Sequence, residues 1–546
     1  MPAISASYTD LISLIGKKVS REEVTEALLR LGAELKDIDE KEEAAIDVLA
    51  NRPDMFSIEG IARAVKPFLD DKSSGMVSYF AEKSDIVLDV HESVTSVRPY
   101  IAGAAVRNVT MDDYLIKSLM DIQEKLHLTI GRRRRKVSIG VHDSRDIAPP
   151  FVYKAVEPKS ARFVPLGMET EMDLNEILDK HEKGIEYKYI LEGKDKYPLL
   201  VDSRNKVLSF PPIINGTITR VTPETENLFI DVTGTDAGAI NTALIVLCTS
   251  LADRGGKVES ISVRYNNMET TTPDLAPKAK TVTPEYVNSV LGISLSGGEM
   301  AKCLRLLRHD ASYENNMLDV KIPCYRSDIL HAVDITEDIA IGYGYQNINP
   351  VLPQSHTFGK SREAAKFSGK IEMLMVGHGF TETFTPTLSS ESEQYAKMNL
   401  EPGERAEIRN PISLEQTCMR VSMLPSLLNV LAANKHRDLP QNLFEIGDVV
   451  IGGKNRKMLG IVIMHSRAGF TECKSVVDGV LGFVKEKHSV APMKHSSFID
   501  GRCAKVLHGD KEIGCFGELS LAVSKDSFGL DYPVAAAELD VEALMK

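Results

Sequence analysis

At 546 residues the chain is too long for a single core and predicts roughly three to four domains. Its 43% hydrophobic and 26% charged content is ordinary for a globular protein. No apolar run approaches the roughly 20 residues of a membrane span, and a formal charge of −12 argues against a surface coated in nucleic-acid contacts.

The charge is uneven. Residues 1–90 carry 18 acidic and 11 basic side chains, a balance of −7, so the rest is close enough to neutral to host basic patches. The start, MPAISASYTDLISLIGKK, lacks the basic lead and long apolar stretch of a secretion signal. Seven cysteines are scattered with no CxxC spacing, which indicates neither a zinc site nor a disulfide framework and fits a reducing cytoplasm. With no Trp, stacking on a nucleobase would fall to Tyr, Phe or His.

Along the chain, residues 1–90 read as an N-terminal helical module. Ser20 and Glu23 form a capping box, Val24, Ala27, Leu28 and Leu31 share one helical face, and Gly32 ends that helix. A second helix follows Asn51-Arg52-Pro53-Asp54, with Ser57 as its cap.

Residues 91–270 read as mixed α/β, with strands near 100–106, 137–141, 207–210 and 227–232 and a helix over 239–251. Asn215-Gly216 signals a turn between extended segments. Arg132, Arg133, Arg134, Arg135 and Lys136 are five consecutive basic residues. They are either a phosphate-contacting patch or a solvated charge run at a strand start. The run also matches a nuclear targeting pattern, with nothing else in support.

A linker-like stretch at 270–284 leads to a small helical module within 271–348. Ser296 and Glu299 again make a capping box. Met300, Cys303, Leu304 and Leu307 repeat the earlier apolar spacing, and Arg326-Ser327-Asp328 echoes Arg52-Pro53-Asp54. Two copies of one module are expected; a chance match of two capped helices is the alternative.

The segment 325–345, YRSDILHAVDITEDIAIGYGY, places Asp328, Asp334, Glu337 and Asp338 in a short window. Hard oxygen ligands so clustered can hold magnesium. Equally, Asp334 can cap the following helix with Glu337 as its N3 partner. The two readings are compatible. Residues 349–546 read as α+β with an antiparallel sheet: strands near 443–451, 459–465, 504–507 and 513–517, helices over 363–377 and 472–485, and a hairpin turn at Gly509-Asp510.

Four segments, in order, resemble one family: NRPDMFSIEGIARAV (51–65), GRRRRKVSIGVHD (131–143), FPPIINGTITRVTPETENLFIDVTGTD (210–236) and the 325–345 segment. The resemblance is to the β subunit of phenylalanyl-tRNA synthetase in its archaeal and eukaryotic form. It implies an α2β2 heterotetramer in the cytoplasm, in which the α subunit attaches phenylalanine to its tRNA using ATP and Mg2+. This chain would then supply scaffold, tRNA contacts through 132–136, the magnesium site and an editing pocket that hydrolyses mischarged tyrosyl-tRNA.

The editing residues it implies are Leu200, Ser209, Asn215, Asp231 and Thr233. Asp231 and Thr233 alternate on a strand and share a face, which suits either a substrate-orienting pair or a satisfied polar pair at a strand end. His142, beside Asp143, is a weaker signal, since a lone His is more often a structural hydrogen-bonder.

The region 349–546 resembles a class II synthetase core, with LPQNLFEIGDVV like the strand after that fold's second motif. Where the arginine of the third motif would fall there is only DGVLGFVKEK (478–487), so the core is expected to be inactive in synthesis. MRVSMLPSLL (419–428) is either α-subunit interface or an ordinary buried helix. No extra C-terminal RNA-binding module is evident, so anticodon recognition is not expected. A free-standing trans-editing hydrolase and a purely structural subunit are the alternatives.

Overall fold

The computed structural model describes residues 2–40, 42–353, 357–484 and 487–545. The chain divides into two units, Met1–Val351 and Leu352–Lys546.

The first unit contains a repeated α/β module rather than two purely helical ones. In the first copy, strand Ala3–Ser7 is followed by helices Tyr8–Ile15 and Arg21–Arg30, strands Glu34–Ile38 and Glu43–Asp47, and helix Ile58–Leu69. In the second, Lys278–Val282 leads to Pro284–Leu291, Gly297–Leu306, Asp310–Glu314, Met317–Ile322 and Ala332–Tyr343. Both sheets are antiparallel with the last strand in the middle.

The second helix of each copy has ten residues and opens on a Ser–Glu capping box, and the last helix of each has twelve. The residue two past each second helix is left-handed, Gly32 at φ 73° and Arg308 at φ 69°. Strands such as ELKDI escape the periodicity argument because charged residues fill their solvent face. The copies touch: Arg30 donates to the Gly342 carbonyl at 3.3 Å and Arg308 to the Arg63 carbonyl at 2.8 Å.

Between the copies lies a ten-stranded mixed sheet. Its main path runs Ile214–Asn215, Val207–Phe210, Tyr197–Val201, Phe151–Val156, Glu82–Val90, Lys257–Tyr265, Tyr100–Arg107, Leu228–Gly234, Val137–Asp143, and Met268–Thr272 pairs beside Lys257–Tyr265. Glu82–Val90 is therefore interior to this sheet, and the domain expected over 91–270 gains a strand from the segment assigned to 1–90. Helix Ala237–Asp253 covers one face, burying Ile240, Leu244 and Leu247. Asn215-Gly216 is not the hairpin turn; the chain reverses over 211–213, and Asn215 ends a strand. The terminal strands of the path approach each other, since the Asn215 amide donates to the Val141 carbonyl at 3.2 Å.

The second unit is a seven-stranded sheet of order Thr381–Glu382, Gln441–Ile451, Lys454–Met464, Val534–Asp540, Lys511–Leu519, Phe498–His508, His488–Pro492. Alternate residues pack on opposite faces. Ile461, Ile463 and Ala537 meet helices Glu363–Gly377 and Phe470–Phe483, while Val462, Met464 and Ala536 meet Leu424–Ala433. That last helix buries Leu424, Leu427, Leu428 and Leu431, so most of MRVSMLPSLL is interior. Gly509 turns the Phe498–His508/Lys511–Leu519 hairpin at φ 61°, as expected. Of the 478–487 segment, Lys485 and Glu486 lie outside the described residues.

Candidate functional site

Strand pairing sets the five editing candidates in two groups. Tyr153, Leu200, Ser209 and Asn215 stand directly opposite one another across four strands, so they share a face. Leu200 and Ser209 are buried, and the Ser209 hydroxyl has no hydrogen-bond partner among the described residues. A buried hydroxyl left unpaired costs roughly 1–3 kcal/mol, so it marks a place where a ligand or water belongs. Asp231 sits opposite Gly103 on one side and Gly140 on the other, with Thr233 two residues along on the same face. A Cβ on Gly140 would lie 2.2 Å from Asp231 Oδ2, so only glycine leaves room for that carboxylate.

The weak signal, His142, turns out to be central. Its Nε2 is 2.7 Å from Asp231 Oδ2 and its Nδ1 is 2.8 Å from the Thr219 hydroxyl, all three residues being buried. The strands carrying His142 and Asp231 are neighbours, a fact of topology that sequence spacing does not reveal. Arg98 is likewise missed, because a single Arg before Pro carries no motif. It donates to the Thr233 hydroxyl at 2.9 Å, the Thr233 carbonyl at 2.7 Å and the Arg135 carbonyl at 3.1 Å. Burial lowers its pKa to about 10.

Through Arg98 the site adjoins an open cleft of about 800 Å³ lined by Arg132, Arg133, Arg135, Lys136, Tyr189, Thr235 and Asp236. The five basic residues are not equivalent. Arg132 and Arg133 are exposed and, with Arg134, adopt left-handed φ of 47°, 55° and 62°, which turns the chain tightly ahead of strand Val137–Asp143. Arg135 is exposed and stacks on Tyr189, 4.9 Å from the ring centroid; Lys136 pairs with Asp236 at 2.9 Å. Arg134 is structural: it donates to the Ile213 carbonyl at 2.9 Å and lies 4.4 Å from the Tyr187 centroid.

This turn rests on His127, whose Nε2 accepts the Ile139 N–H at 2.8 Å. Burial pushes the His127 pKa from 6.5 down to about 4. The folded chain therefore binds fewer protons than the unfolded chain between those values, and stability falls as pH drops through that window. The expected loss is about 2 kcal/mol between pH 6.5 and 5, at ~1.4 kcal/mol per unit. Urea midpoints at the two pH values should show it, and His127→Gln, which cannot charge, should flatten that part of the profile.

Family models match along the chain: the Phe-tRNA synthetase beta subunit B1 domain over 1–71, the B3/4 domain over 97–249, the tRNA synthetase B5 domain over 280–345, and the phenylalanyl tRNA synthetase beta chain CLM domain over 348–541. A phenylalanine–tRNA ligase beta subunit of Archaeoglobus fulgidus is 43% identical over 546 residues, covering 100% of this chain and 98% of its own length. That of Methanothrix thermoacetophila is 41% identical, covering 99% and 100%. The chain belongs to the phenylalanine–tRNA ligase beta-subunit family. A solved N-terminal fragment of the Pyrococcus horikoshii phenylalanyl-tRNA synthetase beta subunit, at 42% identity, covers 63% of this chain and all of that fragment with a TM-score of 0.61. The two copies of the repeated module coincide with the B1 and B5 matches, and the mixed sheet holds the B3/4 match.

Membership of this ligase family implies ATP as a substrate and a general dependence on magnesium. The four carboxylates expected to hold that ion have other uses. Asp328 pairs with the Arg326 guanidinium at 2.9 and 2.7 Å, and Asp338 takes Arg326 at 3.0 Å and His309 Nε2 at 2.5 Å. Asp334 is the N3 residue of helix Ala332–Tyr343, not its cap, and accepts the His331 N–H at 2.6 Å. Glu337 is exposed. Burial raises the Asp338 pKa, but Arg326 and His309 overcome it and hold it down to about 2.

A guanidinium thus already pairs with the two inner carboxylates, and among the described residues no group of three or more His, Cys, Asp or Glu is placed to hold a metal. In this structure Asp328, Asp334, Glu337 and Asp338 are not gathered as one ligand set. Melting of the chain in magnesium and in EDTA should differ by less than about 2 °C, well under 1 kcal/mol, with Glu337→Gln the same.

Proposed function

We propose that this chain is the editing subunit of phenylalanyl-tRNA synthetase, working with an α subunit in an α2β2 tetramer. Synthesis of phenylalanyl-tRNA takes place on α, and the mixed sheet of this chain hydrolyses mischarged tyrosyl-tRNA. The observation that carries the reading is the unpartnered, buried Ser209 hydroxyl on the row with Leu200 and Asn215. The Thr233 hydroxyl, accepting from Arg98, keeps its own proton to donate. A carboxylate, two hydroxyls and an amide on one curled sheet suit a substrate that differs from phenylalanine by one hydroxyl.

The chemistry needs no protein nucleophile. Water adds to the ester carbonyl, the bond to the terminal ribose oxygen breaks, and tyrosine and free tRNA leave. A pocket built for Phe rejects an added hydroxyl only modestly, whereas a site that hydrogen-bonds that hydroxyl discriminates strongly. The basic cleft beside Arg98 supplies phosphate contacts through Arg132, Arg133, Arg135 and Lys136, which would bring the acceptor end to the wall.

In the α-assembled enzyme, Asp231→Ala should lower tyrosyl-tRNA hydrolysis about tenfold to a hundredfold and leave phenylalanine charging unchanged. Undiminished hydrolysis in that variant would leave a structural subunit. Full wild-type hydrolysis without α would favour a free-standing hydrolase.

A further inference from the structure

We infer that His142 is a positioning residue for the editing site: it fixes one oxygen of Asp231, leaves the other for the substrate's phenolic hydroxyl, and so sets selectivity for tyrosyl over phenylalanyl esters. The inference rests on the editing reading.

The hydrogen-bond chain determines where protons lie. The Thr219 hydroxyl lies 2.8 Å from His142 Nδ1 and 3.1 Å from the Gly216 carbonyl, and so holds the ring in place. On the other side Nε2 faces Asp231 Oδ2 at 2.7 Å. Two lone pairs cannot face each other at that distance, so a proton lies between them.

That hydrogen bond matters at this depth. An uncompensated carboxylate beneath the sheet would meet a steep desolvation cost, and its side chain could rotate toward any donor. The imidazole removes both problems. The ring is anchored at Thr219, in the turn that directly follows Asn215. Gly140 completes the arrangement, since a Cβ there would come within 2.7 Å of His142 Nε2 as well as against Asp231. Asp231 is thus held from one side and has one oxygen left to direct, which is what recognition of a single hydroxyl requires.

The test compares hydrolysis of tyrosyl-tRNA and phenylalanyl-tRNA by the α-assembled enzyme. His142→Leu removes both hydrogen bonds at similar volume, and Thr219→Val removes only the anchor. Selectivity should fall about tenfold in the first and about threefold in the second, sizes expected for losing an oriented hydrogen bond. The change should lie in kcat, with KM within about twofold because the RNA contacts are untouched. His142→Gln, which can still donate to Asp231, should recover most of the loss.

A purely structural role would lower both hydrolyses together and leave their ratio alone. Unchanged selectivity in Thr219→Val and in folded His142→Leu, with Asp231→Ala inactive, overturns the role of His142 and spares the editing reading. If Asp231→Ala also keeps wild-type selectivity, both fall. Should His142→Leu fail to fold, Thr219→Val and His142→Gln decide by the same ratio.

Discussion

Arg326→Met is expected to destabilise the first unit by about 3–5 kcal/mol, the range for removing one partner of a buried ion pair. Arg326 is among the largest fully buried side chains, and its guanidinium serves Asp328, Asp338 and the Leu307 carbonyl. Without it Asp338 keeps only His309, and Asp328 loses both its bonds to the guanidinium. Asp338 is 3% exposed while Asp328 is only partly buried, so the cost is chiefly desolvation of the Asp338 charge rather than one lost contact. Burial pushes His309 down from its usual range, and the Asp338 hydrogen bond only partly offsets that.

Urea unfolding of the full chain would give the value, and a loss under about 1 kcal/mol would mean that water reaches the cluster. The same variant tests the metal question. If millimolar magnesium restored the stability lost with Arg326, the carboxylates would be acting as an ion site once vacated. The geometry predicts no rescue, because Asp334 is spent on backbone N–H groups and Glu337 points to solvent.

The repeat explains why this cluster arose where it did. Arg52 and Asp54 in the first copy form the same two-bond pair, at 2.8 and 2.8 Å, as Arg326 and Asp328 in the second. Asp338 adds a further acidic group to the second copy, facing the same guanidinium. A carboxylate-rich window states only that positive charge is needed nearby. It does not say whether an ion or a distant arginine supplies it.

The same limit governs the proposed editing wall. Strands such as Val207–Phe210 were legible because their apolar content and turn signals are local. Asp231 and Thr233 could be placed on one face from alternation alone, whereas His142 could not be paired with Asp231 because the strand order brings 142 beside 229 and nothing near either residue announces it. Helices were the most legible: 363–377 matches its expected span, since a period of 3.6 residues is fixed by residues a few positions apart. The strands of the small modules were not, as their charged outer faces break the apolar pattern.

Arg420→Met should have an effect of similar size in the second unit, again about 3–5 kcal/mol. Arg420 is buried and donates to Glu445 at 3.0 Å, to the Thr385 hydroxyl at 2.7 Å and to the Asp448 carbonyl at 2.8 Å. Glu445 is itself 1% exposed, so the truncated variant would strand a carboxylate inside the sheet layer. Gly447 shows how tightly the guanidinium is held: a Cβ there would lie 2.3 Å from Arg420 Nη2. The double variant Arg420→Met with Glu445→Met removes both charges and should recover more than half of the loss, since the pair is costly chiefly when broken. If the double variant were as unstable as the single, packing of the arginine stem against Met423 and its neighbours, not charge, would be holding this part of the fold. Phenylalanine charging by the α-assembled enzyme should track the folded fraction in both variants, because Arg420 is buried in the interior with its guanidinium directed at Glu445, Thr385 and Asp448.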